Sequence, residues 1–178
     1  AVGDIDGDGK PEIVSLGAGK YLLAFKSDGT PLWKSDNFAG ATTSGSVAIA
    51  NMDNEGAPEI VFGAAIYDNL GKKLWEGAAG IGLNGQGPIS CIADLDGDKR
   101  PELIGGRTAY STTGTVAGNN FVGKVLWNSA VATDGFCGIA DFDVDGKPEV
   151  VLVSKGAVYV LDGQTGATLA TAPIPQAG

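Results

Sequence analysis

Four copies of one acidic nine-residue loop recur along the chain, and this repetition limits the fold more than any other feature. The first copy is Asp4-Ile5-Asp6-Gly7-Asp8-Gly9-Lys10-Pro11-Glu12, and the second is Asn51-Met52-Asp53-Asn54-Glu55-Gly56-Ala57-Pro58-Glu59. The third is Asp94-Leu95-Asp96-Gly97-Asp98-Lys99-Arg100-Pro101-Glu102, and the fourth is Asp141-Phe142-Asp143-Val144-Asp145-Gly146-Lys147-Pro148-Glu149. The copies start 47, 43 and 47 residues apart, a period that marks a structural repeat. Oxygen-bearing side chains at positions 1, 3, 5 and 9 of a tight turn suit a hard cation such as Ca²⁺.

Each loop has the same flanks. Before it runs a short strand of small apolar residues: Ser46 to Ala50, Ile89 to Ala93, Phe136 to Ala140, and in the first copy Ala1 to Gly3. After it comes a β-branched run, as in Glu59-Ile60-Val61-Phe62 and Glu149-Val150-Val151-Leu152-Val153. A third strand follows, clearest in Lys20 to Phe25 and Ala157 to Leu161. A glycine turn then leads into a fourth, as in Gly29-Thr30-Pro31-Leu32-Trp33 and Gly71-Lys72-Lys73-Leu74-Trp75. The unit is four short antiparallel strands with a cation loop between the first and second, which suits a β-propeller blade. The 29 glycines and eight prolines agree with a turn-rich all-β protein, and no helical stretch of useful length is predicted. The expected blades are 1–40, 41–83, 84–130 and 131–174, with 175–178 as a tail or linker. Four whole blades leave three outcomes: a closed four-bladed ring, an arc of a larger propeller, or an arc completed by another copy. The chain starts at Ala1 rather than Met, so it is expected to be processed or cut from something longer.

The D-x-D-x-D-G-x-P-E pattern followed by Ile, Leu or Val, four times in register, resembles FG-GAP (VCBS-type) repeats, the blades of integrin-α-like propellers. The resemblance implies that side chains at positions 1, 3, 5 and 9 and the main-chain carbonyl at position 7 bind Ca²⁺. The implied ligands are Asp4, Asp6, Asp8, Lys10 and Glu12 in loop 1, and Asn51, Asp53, Glu55, Ala57 and Glu59 in loop 2. In loop 3 they are Asp94, Asp96, Asp98, Arg100 and Glu102, and in loop 4 Asp141, Asp143, Asp145, Lys147 and Glu149. Up to four Ca²⁺ are expected. Loops 1 and 4 are complete. Loop 2 has Asn51 at position 1 and the longer Glu55 at position 5, so weaker binding is expected there. Loop 3 puts Lys99 where the others have glycine, and a left-handed lysine costs on the order of 1 kcal/mol. An EF-hand fits worse, because position 12 is Ser15, Phe62, Gly105 and Leu152 rather than glutamate, and strands are expected to flank every loop.

Charge narrows the function. The net charge of −9 disfavours nucleic acid as a partner. Fifteen of the 21 acidic residues lie in the four loops, so the acidity belongs to the sites. Histidine is absent, which removes the common catalytic triads and the usual zinc ligand sets. No apolar run approaches the roughly 18 residues of a membrane span. Trp33, Trp75 and Trp127 share one position of the last strand and read as inter-blade packing, with a sugar-stacking platform as the alternative. Cys91 and Cys137 precede loops 3 and 4 on opposite pleat faces of inner strands. They are either an inter-blade disulfide or two buried thiols. The excursion from Thr108 to Asn120 and the connections between blades read as surface loops on which a protein or glycan could dock.

The leading expectation is a non-enzymatic, calcium-stabilised extracellular propeller module for adhesion, surface assembly or protein interaction. A lectin-like glycan binder and an accessory region of a polysaccharide-degrading enzyme are the alternatives. Self-association or further blades are expected if the ring is not closed.

Overall fold

The computed structural model describes residues 1–39, 44–83 and 85–175. The parts of the expected inter-blade connections at 40–43 and 84, and residues 176–178 of the expected tail, lie outside them. The described residues form sixteen strands and no helix, arranged as four antiparallel four-stranded sheets, each in simple chain order. Sheet 1 comprises β1 (Val2–Gly3), β2 (Glu12–Leu16), β3 (Leu22–Phe25) and β4 (Pro31–Lys34). Sheet 2 comprises β5 (Val47–Ala50), β6 (Glu59–Phe62), β7 (Ala65–Tyr67) and β8 (Lys73–Glu76). Sheet 3 comprises β9 (Cys91–Ala93), β10 (Glu102–Gly105), β11 (Thr108–Thr113) and β12 (Val122–Asn128). Sheet 4 comprises β13 (Phe136–Ala140), β14 (Glu149–Ser154), β15 (Ala157–Asp162) and β16 (Thr168–Pro173).

Register is the same in all four sheets. Ile13 faces Phe25, Ile60 faces Tyr67, Leu103 faces Tyr110 and Val150 faces Leu161 across the central pair of strands. The fourth strand of every sheet carries a bulge against the third, with Leu32, Leu74, Leu126 and Leu169 as the extra residues. The bulge sets Trp33, Trp75 and Trp127 opposite Ala24, Ile66 and Ala109, and in sheet 4 it sets Ala170 opposite Val160.

Because side chains alternate along a strand, each sheet has two apolar faces. The residue one past the loop glutamate points to the preceding sheet, and the residue two past points to the following sheet. Val14, Leu22 and Ala24 of sheet 1 thus pack with Ile60, Phe62 and Tyr67 of sheet 2. Val61 and Ile66 of sheet 2 pack with Leu103 and Tyr110 of sheet 3. Ile104, Ala109 and Trp127 of sheet 3 pack with Val150, Leu152 and Leu161 of sheet 4. Each buried Val, Leu or Ile contributes roughly 1.5–3 kcal/mol of transfer free energy. Among the described residues these three buried clusters join sheets 1 to 2, 2 to 3 and 3 to 4, and none joins sheet 4 to sheet 1.

Two expectations about single features resolve here. Cys91 on β9 and Cys137 on β13 form a disulfide with a Cα separation of 6.0 Å, so sheets 3 and 4 are covalently joined. The tryptophans pack between sheets. The indole N–H groups of Trp33 and Trp127 donate to the carbonyls of Asn69 and Gly163 in the next sheet's turn, at 2.9 and 2.7 Å. Trp75 meets the Tyr110 ring edge-on at 5.2 Å. One reading needs correction. The first half of the Thr108–Asn120 excursion is strand β11, in which Thr108, Tyr110 and Thr112 are buried. Its Thr/Gly composition hid that alternation.

Candidate metal centres

Loops 1, 3 and 4 are each a chain of side-chain-to-backbone turns. In loop 1, Asp4 accepts the N–H groups of Gly7 and Gly9 at 2.7 and 2.9 Å, Asp6 accepts that of Asp8, and Asp8 accepts that of Lys10. Loop 3 repeats this with Asp94, Asp96 and Asp98. Loop 4 repeats it with Asp141, Asp143 and Asp145, except that Asp145 N–H replaces that of position 4 as a donor to Asp141. Such Asx turns orient the carboxylates and fix the backbone carbonyls. Position 6 is left-handed throughout, at Gly9, Gly56, Lys99 and Gly146 (φ 84°, 63°, 71° and 88°). The lysine therefore takes the strained conformation expected of it. Position 4 is left-handed as well, and there loop 4 carries Val144 at φ 61°. The pattern of aspartates gave no hint of that second strained position.

The glutamate at position 9 has a role the motif did not reveal. Glu12, Glu59, Glu102 and Glu149 are buried, and one oxygen of each accepts the backbone N–H of position 2. The donors are Ile5, Met52, Leu95 and Phe142, at 2.7–3.0 Å. Each carboxylate therefore buckles the loop onto the first turn of the second strand. Its recurrence has a backbone reason that needs no cation. Burial pushes Glu102 up to about 7, helped by the charges of Asp96, Asp98 and Asp94, and pushes Glu59 up to about 7, with Asp53 adding to it. The bonds from Leu95 and Met52 oppose these shifts.

Three loops bring acids together. Carboxylate oxygens lie within 4.8 Å of one another in Asp4, Asp6 and Asp8, in Asp94, Asp96 and Glu102, and in Asp141, Asp143 and Glu149. Glu12 stands outside the first grouping, and Asp98 and Asp145 outside the other two. Clustered hard oxygens on turns of fixed backbone fit an oxygen-ligated divalent cation. Thiolate and imidazole ligands are absent from all three groupings. The carbonyl-bearing residues at position 7, Lys10, Arg100 and Lys147, are placed by the Asx turn of position 5.

Loop 2 is built differently. Asp53 is buried, and its two oxygens accept N–H groups from Glu55 at 2.9 Å and from Val116 at 2.8 Å, the latter from the β11–β12 hairpin. Thr112 of the same hairpin donates to the carbonyl of Met52, and Asn54 donates to that of Lys99 in loop 3. Arg100 turns away from its own loop toward Thr112 and the carbonyl of Gly114, and it lies over the Phe121 ring. Asp53, Glu55, Ala57 and Glu59 thus border a concavity of about 260 Å³ shared with Val116 and Asn69. Asn51 Oδ1 is buried without a hydrogen-bond partner. These three acids do not form a grouping like those of the other loops.

At the opposite ends of the strands, Asp134 accepts the N–H groups of Ile81, Leu83 and Arg107 at 2.9–3.2 Å. It pins the connection before sheet 3 to the turn within it. No repeat pattern flagged this residue, because it occurs once.

Comparison with known proteins supports the repeat. Residues 4–62 match the family model of the FG-GAP-like repeat. No curated protein matches the chain. Among solved structures, the V. cholerae biofilm matrix protein Bap1 is similar over 97% of this chain and 28% of its own, with a TM-score of 0.72 and 23% identity. The Bacillus licheniformis rhamnogalacturonan lyase PL11 is similar over 97% of this chain and 39% of its own (TM-score 0.66, 19% identity). The exotype rhamnogalacturonan lyase YesX is similar over 94% and 39% (TM-score 0.59, 20% identity). The chain thus spans well under half the length of these neighbours, and at such identities the likeness is one of fold. The segment that matches the FG-GAP-like repeat carries loops 1 and 2.

Proposed function

We propose that the chain is a non-catalytic, calcium-stabilised β-propeller module of an extracellular protein, serving adhesion or surface assembly. The observation that carries this reading is that the equivalent loop of sheets 1, 3 and 4 gathers three acids each time, positions 1 and 3 with either 5 or 9. Without a cation, the like charges in each turn oppose folding. A cation that binds only the folded chain stabilises it by about 2.7 kcal/mol per site at 100 times its dissociation constant. Stacked meander sheets of this length and strand order suit propeller blades. The disulfide suits an oxidising compartment, where calcium is also abundant. Among the described residues no helix is long and apolar enough to cross a membrane.

A second reading has support from the neighbours' names. One is a biofilm matrix protein and two are rhamnogalacturonan lyases, so the module could accompany polysaccharide chemistry as a binding or accessory region. Thermal melts across a calcium titration test the first reading, and a chelated protein that melts at the same temperature as the calcium-loaded one would refute it. Glycan-array binding and turnover of acidic polysaccharides separate the two. Turnover would refute the non-catalytic role.

A further inference from the structure

Loop 2 lacks an internal bond that the other three share. Asp4, Asp94 and Asp141 each accept the N–H of position 6, from Gly9, Lys99 and Gly146. Asn51 stands at the same place in loop 2, and its Oδ1 is buried without a hydrogen-bond partner. Both oxygens of Asp53 are committed to N–H groups, and the acids of the loop form no grouping. Ca²⁺ needs about six to eight oxygens converging on it, so the residues of loop 2 do not fit the ion.

What holds loop 2 comes from sheet 3 instead. The third and fourth strands are joined by residues 26–30, 68–72 and 163–167 in sheets 1, 2 and 4, and by the longer stretch 114–121 in sheet 3. From this hairpin Val116 N–H donates to Asp53 at 2.8 Å, and the Thr112 hydroxyl donates to the Met52 carbonyl at 3.3 Å. Phe121 is buried in one cluster with Met52, and Val116 packs against it. Arg100 clamps the hairpin, with Nε donating to Thr112 Oγ1 at 2.9 Å and Nη2 to the Gly114 carbonyl at 2.7 Å. The planar guanidinium holds both acceptors in fixed geometry. Burial penalises the charge of Glu59, and the nearby charge of Arg100 favours it.

We propose that the β11–β12 hairpin, clamped by Arg100, takes the place of a metal ion at loop 2, so that this loop and the junction of sheets 2 and 3 keep their geometry without calcium. The N–H of Val116 binds a carboxylate that lies free of such a strap in the other loops, and the guanidinium supplies the compensating charge. The proposal rests on the bonds of loop 2 and is independent of whether loops 1, 3 and 4 bind calcium.

The buried amides at position 2 of each loop report on it, because each donates to the glutamate at position 9. Hydrogen exchange of Ile5, Met52 and Phe142 is followed by NMR with calcium and with chelator, under conditions where circular dichroism shows the chelated protein folded. Chelation is expected to speed exchange at Ile5 and Phe142 by about tenfold or more and at Met52 by less than about twofold. Val116→Pro removes the strap's N–H, and it should speed exchange at Met52 by about tenfold in either condition. Thr112→Val, which keeps the side chain's shape and loses its hydroxyl, should act in the same direction and serves alone if the proline variant fails to fold. An amide of Met52 that responds to chelation as strongly as those of Ile5 and Phe142, or that neither variant moves, overturns the proposal. Unresponsive amides at Ile5 and Phe142 would instead count against the calcium reading, and the two variants still decide the role of the strap.

Discussion

Single residues in the loops carry opposing demands. Val144 is a β-branched residue held at φ 61° and 86% exposed, so its side chain makes little contact that could offset the strain. Val144→Gly is expected to stabilise the protein by about 1 kcal/mol, and Lys99→Gly by a similar amount, measured by urea unfolding at fixed calcium. Glu102 illustrates a second conflict. Its carboxylate must accept the Leu95 N–H from a buried position that penalises its charge. Its value rises from 4.5 unfolded to about 7 folded, so its contribution to stability is full below pH 4.5 and is lost as the pH rises toward 7. Chelated protein should therefore melt at a lower temperature at pH 7.5 than at pH 5. Glu102→Gln keeps an acceptor for Leu95 and loses the charge. It should flatten that pH dependence while weakening calcium binding in loop 3. Melting curves with and without chelator check both, and an unchanged slope in the variant would refute the assignment.

At the scale of elements, the junctions between sheets carry the stability. The disulfide closes a sequence separation of 46 residues and joins β9 to β13. Replacing Cys91 and Cys137 by serine is expected to cost about 2–4 kcal/mol, read from denaturant midpoints. Trp127 fills the junction beside that bridge, with its N–H bonded to the Gly163 carbonyl. Trp127→Ala should cost about 3–5 kcal/mol. A loss below 1 kcal/mol would mean that the indole does not anchor the neighbouring turn. The β11–β12 hairpin plays a comparable part over loop 2, where Val116 N–H reaches Asp53 across the sheet boundary.

For the whole molecule, the decisive numbers are the count of ions and the shape of the stack. The acid groupings of loops 1, 3 and 4 predict three calcium ions bound tightly, while loop 2, with Asp53 bonded to the hairpin, binds weakly or not at all. Native mass spectrometry over a calcium titration should show a plateau at three. A fourth ion of equal affinity would overturn this account of loop 2. The position-2 residues report the same asymmetry as the sheet faces. Ile5, Met52 and Leu95 are buried in successive junctions, and Phe142, over which no sheet of the described residues lies, is 57% exposed.

Much of this was legible in the residues. Period, strand order, loop placement and the packing of the tryptophans between sheets follow from a repeated local pattern, and local patterns need only propensity, alternation and turn chemistry to be read. The sequence by itself thus determined four equivalent sheets and four acidic turns at one register. Tertiary structure alone decided which turns gather their acids, because Asp53 is taken up by a hairpin 63 residues away. It alone paired Cys91 with Cys137, and it alone showed that the glutamate of every loop holds a backbone N–H. It also decided which apolar faces are covered among the described residues, since a repeat writes the same face into every sheet and only packing tells one from another.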